Sequence, residues 1–142
     1  MADRADSERY MNMARRWFTE GWTGNIALAD DLFSEDVRTN GVVAGVAGPK
    51  RRIQERLAGF PDLATTIEDM FSAHDKIVTR LVWRGTHTGS YGGVEATGKP
   101  VEVRDFAVWR FADGKVAEIS TIQDQSALLK QIRYFPEEIY AA

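Results

Sequence analysis

The chain has 142 residues, 44% of them apolar, a formal net charge of −3 and no cysteine. That length supports one domain with a real core, spanning residues 1–142, and is too short for two. The composition excludes disulfides, thiolate nucleophiles and cysteine metal sites, offers no polybasic surface for nucleic acid, and holds no apolar run near the roughly 20 residues of a membrane helix.

In chain order, MADRADSERY is polar and lacks the apolar segment of an export signal, so the expected location is the cytoplasm. SERYMNMARRWFTEGW sets Tyr10, Met13, Ala14, Trp17, Phe18 and Gly21 on one side. This spacing predicts a helix over 7–21, with Ser7 as its N-cap and Gly21 near its end. A short helix over 27–33 supplies Leu28, Leu32 and Phe33. DVRTNGVVAGVAG holds a short strand, and TNG within it, Thr39 to Gly41, is read either as a polar insertion at a cavity or, for Asn40, as a turn former. GPKRRIQERLAGFPDL predicts a helix over 49–58, with Pro49 in its first turn, Ile53 and Leu57 at i, i+4, and Gly59 as its stop.

After Leu63 the period changes. Segments 64–73, 76–88, 101–111 and 116–124 are rich in β-branched and aromatic residues and read as antiparallel strands, and QSALLKQI closes the pattern as a short helix. Helices first and strands after give an α+β layout, with a curved sheet wrapped on N-terminal helices around a conical interior. Such an interior suits an apolar ligand, with Trp17, Phe33, Trp83 and Trp109 as candidate walls.

Strand parity singles out one carboxylate. Along VEVRDFAVWRF the odd positions are apolar except Asp105, while Arg104, Phe106, Val108 and Arg110 share the even face. Burial there would raise the Asp105 pKa toward a range useful for proton transfer. A three-residue ADG turn sets Asp105 opposite Thr121, and a two-residue DG turn sets it opposite Ile122; the first register is preferred. His87 shares a face with Leu81 and Trp83, and is read either as a cavity partner of Asp105 or as a brace for the glycine-rich loop after it. His74 is a turn residue, and two distant histidines without cysteine argue against a metal site. The mixed even face, Phe106 and Val108 among arginines, is expected to join two sheets in a homodimer.

GTHTGSYGGVEATGKPVEV, RFADGKVAEI and LLKQI, with the upstream GPKRRI and FPDL, resemble the SnoaL-like polyketide cyclase family. The wider fold group includes nuclear transport factor 2 and ketosteroid isomerase. The resemblance runs from about Trp17 to Ile132 and implies a cone-shaped cavity, no metal, no organic cofactor and a dimer. It also implies that the family's acid/base aspartate on the last strand falls at Thr121 here, whose hydroxyl has no useful acidity. Asp124 matches an aspartate that other members carry, and it also sits where a helix N-cap belongs. The expected activity is therefore catalysis on a hydrophobic polyketide-type intermediate, by aldol cyclisation or by hydroxylation. Asp105 and His87 carry the chemistry, Thr121 neighbours the carboxylate, and Gln123 orients substrate. The other reading is a binding module that keeps the cavity without the chemistry; a carboxylate facing the cavity favours the enzyme.

Overall fold

Buried and exposed residues alternate almost without interruption along Pro100–Ala112, and this strand is the spine of the molecule. In the computed structural model, which describes residues 4–132, it is β5 of a six-stranded curved sheet ordered β2-β1-β6-β5-β4-β3. The others are β1 (Phe33–Thr39), β2 (Val42–Val43), β3 (Ala64–Ala73), β4 (Lys76–Thr86) and β6 (Lys115–Gln123). All neighbours pair antiparallel except β1 and β6, which run parallel. The helices are α1 (Arg4–Arg16), α2 (Ala29–Leu32), α3 (Ala47–Gly59) and α4 (Gln125–Gln131). This is the α+β arrangement expected from the change of period, a curved sheet with helices over one face.

Two local expectations need correction. Ser7 does not cap the first helix; it lies inside α1, which already includes Arg4. Phe33 does not end a helix; it opens β1, opposite Val116. Packing overrides spacing there, because the Phe33 ring meets Trp17 edge-on at 5.2 Å and stacks on Trp109 at 6.1 Å. The first helical segment also changes pitch, from α over Arg4–Arg16 to one π-helical turn over Trp17–Gly21, closed by the Trp22 N–H on the Trp17 carbonyl at 2.9 Å. Gly21 is needed in that turn, since a Cβ there would overlap the Trp17 ring.

The β5–β6 hairpin decides which side chains meet. Its turn is the two-residue one, Asp113-Gly114, with φ of 54° and 79°. From there neither expected register results. Phe111 faces Val116 but Arg110 faces Glu118, so Ala117 is an extra residue, a β-bulge. The bulge switches the inward face of β6 from Val116 to Ile119 and Thr121, and leaves Ile122 outward at 72% exposure. Asp105 therefore lies opposite Gln123, with Thr121 opposite Ala107, one diagonal step away on the same face.

The outer face carries the even residues of β5. Phe106, Val108, Ile122 and Phe71 are exposed there, among the pairs Arg80–Glu68, Arg84–Glu102 and Arg110–Glu118. Among the described residues no helix is long and apolar enough to cross a membrane.

Candidate active site

The helices and the inner sheet face line an aromatic-walled cavity. One wall is a helical stripe of α3, Pro49, Arg52, Ile53 and Arg56. The sheet contributes Asp105 and Ala107 of β5 with Ile119 and Thr121 of β6. Trp17, Phe18, Trp22 and Phe33 close one end, and Thr39 of β1 also contributes. The cavity has a volume of about 30 Å³. That holds about two or three waters. A polyketide-sized ligand must displace side chains to enter.

Asp105 is 2% exposed and lines this cavity. Burial pushes its carboxyl above the ordinary carboxylate value, because the charged form loses solvation. The Arg56 charge, the Thr121 hydroxyl and the Arg52 charge oppose that shift, in decreasing order. Thr121 Oγ1 donates to Asp105 Oδ1 at 3.0 Å. Asn40 fixes Thr121 in turn: its Oδ1 accepts from the Thr121 N–H at 2.8 Å. Asn40 can do so because it occupies the β1–β2 turn with φ of 49°, followed by Gly41 at 81°.

Arg56 is the buried cation of this lining, at 3% exposure. Its guanidinium lies 4.4 Å from the Trp22 ring centroid and 5.3 Å from that of Trp83. Its Nη2 donates to Gln123 Oε1 at 3.0 Å, and Trp83 Nε1 donates to the same oxygen at 3.3 Å. Burial lowers the Arg56 pKa, with Tyr91 and Asp105 acting against it; a guanidinium nevertheless stays protonated. Gln123 Nε2 donates to Gln125 Oε1 at 2.6 Å and to Tyr91 Oη at 3.5 Å, so Gln123 is spent on holding Arg56 and Trp83.

The expected residues thus divide. Asp105, Thr121, Trp17 and Phe33 line the cavity; Asn40 and Gln123 stand behind it and hold lining residues. Trp83 and Trp109 are fully buried and absent from the lining. Trp109 is core, packed edge-on with Phe18 at 5.4 Å and donating to Thr79 Oγ1 at 3.0 Å. His87 does not reach Asp105. Asp105 faces Leu81, whereas His87 lies beyond the Thr86–Pro100 pair, about 20 Å further along β4 at ~3.3 Å per residue. It braces the loop instead: the Thr97 N–H reaches its Nδ1 at 3.3 Å, its carbonyl accepts from Gly98 at 2.8 Å, and its ring packs on Phe60 at 5.3 Å. Asp124 caps α4, its Oδ1 accepting from the Ala127 N–H at 3.0 Å. Among the described residues no three His, Asp or Glu side chains converge to hold a metal ion.

Sequence reasoning missed Arg56, Arg52 and Trp22, while Thr39, expected with Asn40 and Gly41 as a polar insertion at the cavity, does line it. A signal for the first two was present. Pro49, Arg52, Ile53 and Arg56 recur at i, i+3, i+4 and i+7, so two arginines occupy the stripe that helical periodicity assigns to the interior.

Comparison with known proteins agrees with this architecture. The sequence profile of the SnoaL-like polyketide cyclases matches residues 12–132. No curated protein matches the chain. Among solved structures, a protein of Jannaschia sp. CCS1 named as a candidate SnoaL-like polyketide cyclase superposes with a TM-score of 0.85 at 24% identity, covering 96% of this chain and 99% of that one. IdmH of Streptomyces antibioticus, named as a candidate polyketide cyclase, gives 0.77 at 26% identity over 87% of this chain and 98% of its own. AclR of Streptomyces galilaeus, named as a candidate hydroxylase, gives 0.77 at 23% identity over 95% of this chain and 100% of its own.

Proposed function

The chain belongs to the SnoaL-like polyketide cyclase family, and from that premise we propose that it is an enzyme of secondary metabolism that cyclises a hydrophobic polyketide-type intermediate by acid–base chemistry at Asp105. The observation that carries this reading is a carboxyl group 2% exposed, in a cavity walled by aromatic residues, with a hydroxyl donor 3.0 Å away. It stands one diagonal step across the β5–β6 pair from Thr121, the position where the family resemblance places an aspartate.

The chemistry follows from those groups. The Asp105 carboxylate takes the proton from a carbon beside a substrate carbonyl, leaving an enolate. The enolate carbon attacks a second carbonyl of the same molecule, and that carbonyl's π electrons move to oxygen as an alkoxide. The alkoxide recovers the proton from Asp105, so the net change is an isomerisation with nothing consumed. Thr121 holds the carboxylate in one orientation, and the raised Asp105 pKa brings proton loss and return closer in energy. The Trp and Phe walls keep water from the enolate. The reading includes a cytoplasmic homodimer meeting through the outer sheet face, supported by the exposed Phe71, Phe106, Val108 and Ile122.

The test needs only the first step. Deuterium uptake into 2-tetralone in D₂O, followed by proton NMR, reports base-catalysed enolisation. The wild-type chain should accelerate it over buffer and Asp105→Asn should not. Uptake at the buffer rate with both proteins would leave a binding module.

A further inference from the structure

Five buried side-chain polar atoms among the described residues lack a hydrogen-bond partner: Trp22 Nε1, Ser34 Oγ, Thr39 Oγ1, Arg56 Nε and His87 Nε2. Three of them, on Trp22, Thr39 and Arg56, belong to residues that line the cavity described above. Buried donors are normally paired, since leaving one unmade forfeits its solvation. Such orphans scattered through a core mark poor packing. Concentrated on one cavity, with two of them obligate N–H donors, they mark a place built to receive acceptor oxygen. Charge points the same way, because the lining holds two guanidinium groups, Arg52 and Arg56, against the single carboxylate of Asp105.

We infer that the cavity recognises an anionic ligand, with an ionised oxygen of a carboxylate or enolate seated against Arg56 and Trp22. This rests on the enzymatic reading of the same cavity and sharpens its substrate class, from a neutral hydrophobic ketone to an acidic one. The Arg56 fork is held before the ligand arrives, while other lining side chains move to admit it. Gln123 Oε1 holds Arg56 Nη2 at 3.0 Å, and the Trp22 ring lies under the guanidinium at 4.4 Å, so the fork does not have to be ordered on binding. The Arg56 side chain is 3% exposed, so its charge acts with little screening by water. Asp105 lines the same cavity and works on the carbon next to the bound oxygen.

The experiment uses two matched pairs of probes measured by titration calorimetry on the full chain: 2-naphthoate against 2-naphthamide, and 1,3-indandione, which ionises to an enolate in neutral water, against 1-indanone. At least one anion should bind about tenfold or more tightly than its neutral partner, the size of one charge-assisted hydrogen bond. The pair that shows the preference identifies the oxygen. Arg56→Met should abolish the preference, as expected when charge recognition is lost. Trp22→Phe, which removes only the indole N–H and is the fallback if Arg56→Met does not fold, should reduce the same ratio. Equal affinity for both members of both pairs overturns the inference but leaves the apolar cavity standing. A preference untouched by either variant also overturns it. Failure of all four probes to bind removes both the inference and the reading it rests on.

Discussion

Replacing Thr121 by valine removes one hydrogen-bond donor from the cavity and almost no volume. That donor is the hydroxyl 3.0 Å from Asp105 Oδ1. Asp105 is 2% exposed, so bulk water screens this hydrogen bond little. A hydrogen bond to a charged group contributes about 1.5–3 kcal/mol, and each 1.4 kcal/mol is tenfold in an equilibrium constant, so the ionisation constant of Asp105 should fall about tenfold or more. The sign follows from which form is stabilised. The hydroxyl favours the carboxylate, so its loss raises further a pKa that burial already holds above 3.8. Stability follows by linkage. A carboxyl whose folded-state pKa is raised favours the folded state most when protonated, and that contribution is lost as pH rises from 3.8 through the folded value. Thr121→Val should extend this loss to higher pH. Carboxyl-¹³C aspartate labelling, with the Asp105 resonance identified by its absence in Asp105→Asn, gives the titration midpoint directly. An unchanged or lowered midpoint in Thr121→Val would refute the reasoning.

Other residues carry equally definite expectations. Asp124→Ala should destabilise the fold by about 1 kcal/mol in urea unfolding through loss of the α4 cap, with Asp124→Asn close to wild type. Trp109→Phe should cost about 1–3 kcal/mol by the same measure, because it strands the buried Thr79 hydroxyl that its indole now bonds at 3.0 Å. Sedimentation at micromolar protein should give twice the monomer mass, and the double change Phe106→Lys with Ile122→Lys should return it to one, since both side chains are exposed on the outer face.

Periodicity made most of the fold legible. The four strands expected over 64–73, 76–88, 101–111 and 116–124 match β3 to β6 within two residues at either end. Parity alone found Asp105, because a charge on the inner face of a strand buried at alternate positions breaks the pattern. The register of β6 was beyond reach. Turn chemistry distinguishes two-residue from three-residue loops, but a bulge at Ala117 follows from how Ile119 and Thr121 pack inward rather than from a local signal. Asp105 and Thr121 meet all the same, across a diagonal instead of a direct pair. Of the two readings of His87, the loop brace holds and the cavity partner does not, for a related reason. The β4–β5 connection from 87 to 99 folds into a loop secured by His87 and Thr97 instead of continuing the strands, so the histidine ends far from the carboxylate. Arg56 went unremarked because arginine on a helix is ordinarily a surface residue. The Trp22 and Trp83 rings, the Gln123 amide and the Tyr91 and Asp105 side chains, brought in from other elements, make its burial tolerable.

The central claim is that Asp105 is the carboxylate that moves protons, and a paired comparison of the two candidate aspartates tests it most directly. Deuterium uptake into 2-tetralone is measured for the wild type, Asp105→Asn and Asp124→Asn at equal protein concentration, with folding checked by circular dichroism. Asp105→Asn should lose about 10²–10⁴-fold of the enzymatic rate, the usual contribution of a positioned general base. Asp124→Asn should retain it, since asparagine still caps α4. Full activity in folded Asp105→Asn together with loss in Asp124→Asn would contradict the account and move the chemistry to the end of β6.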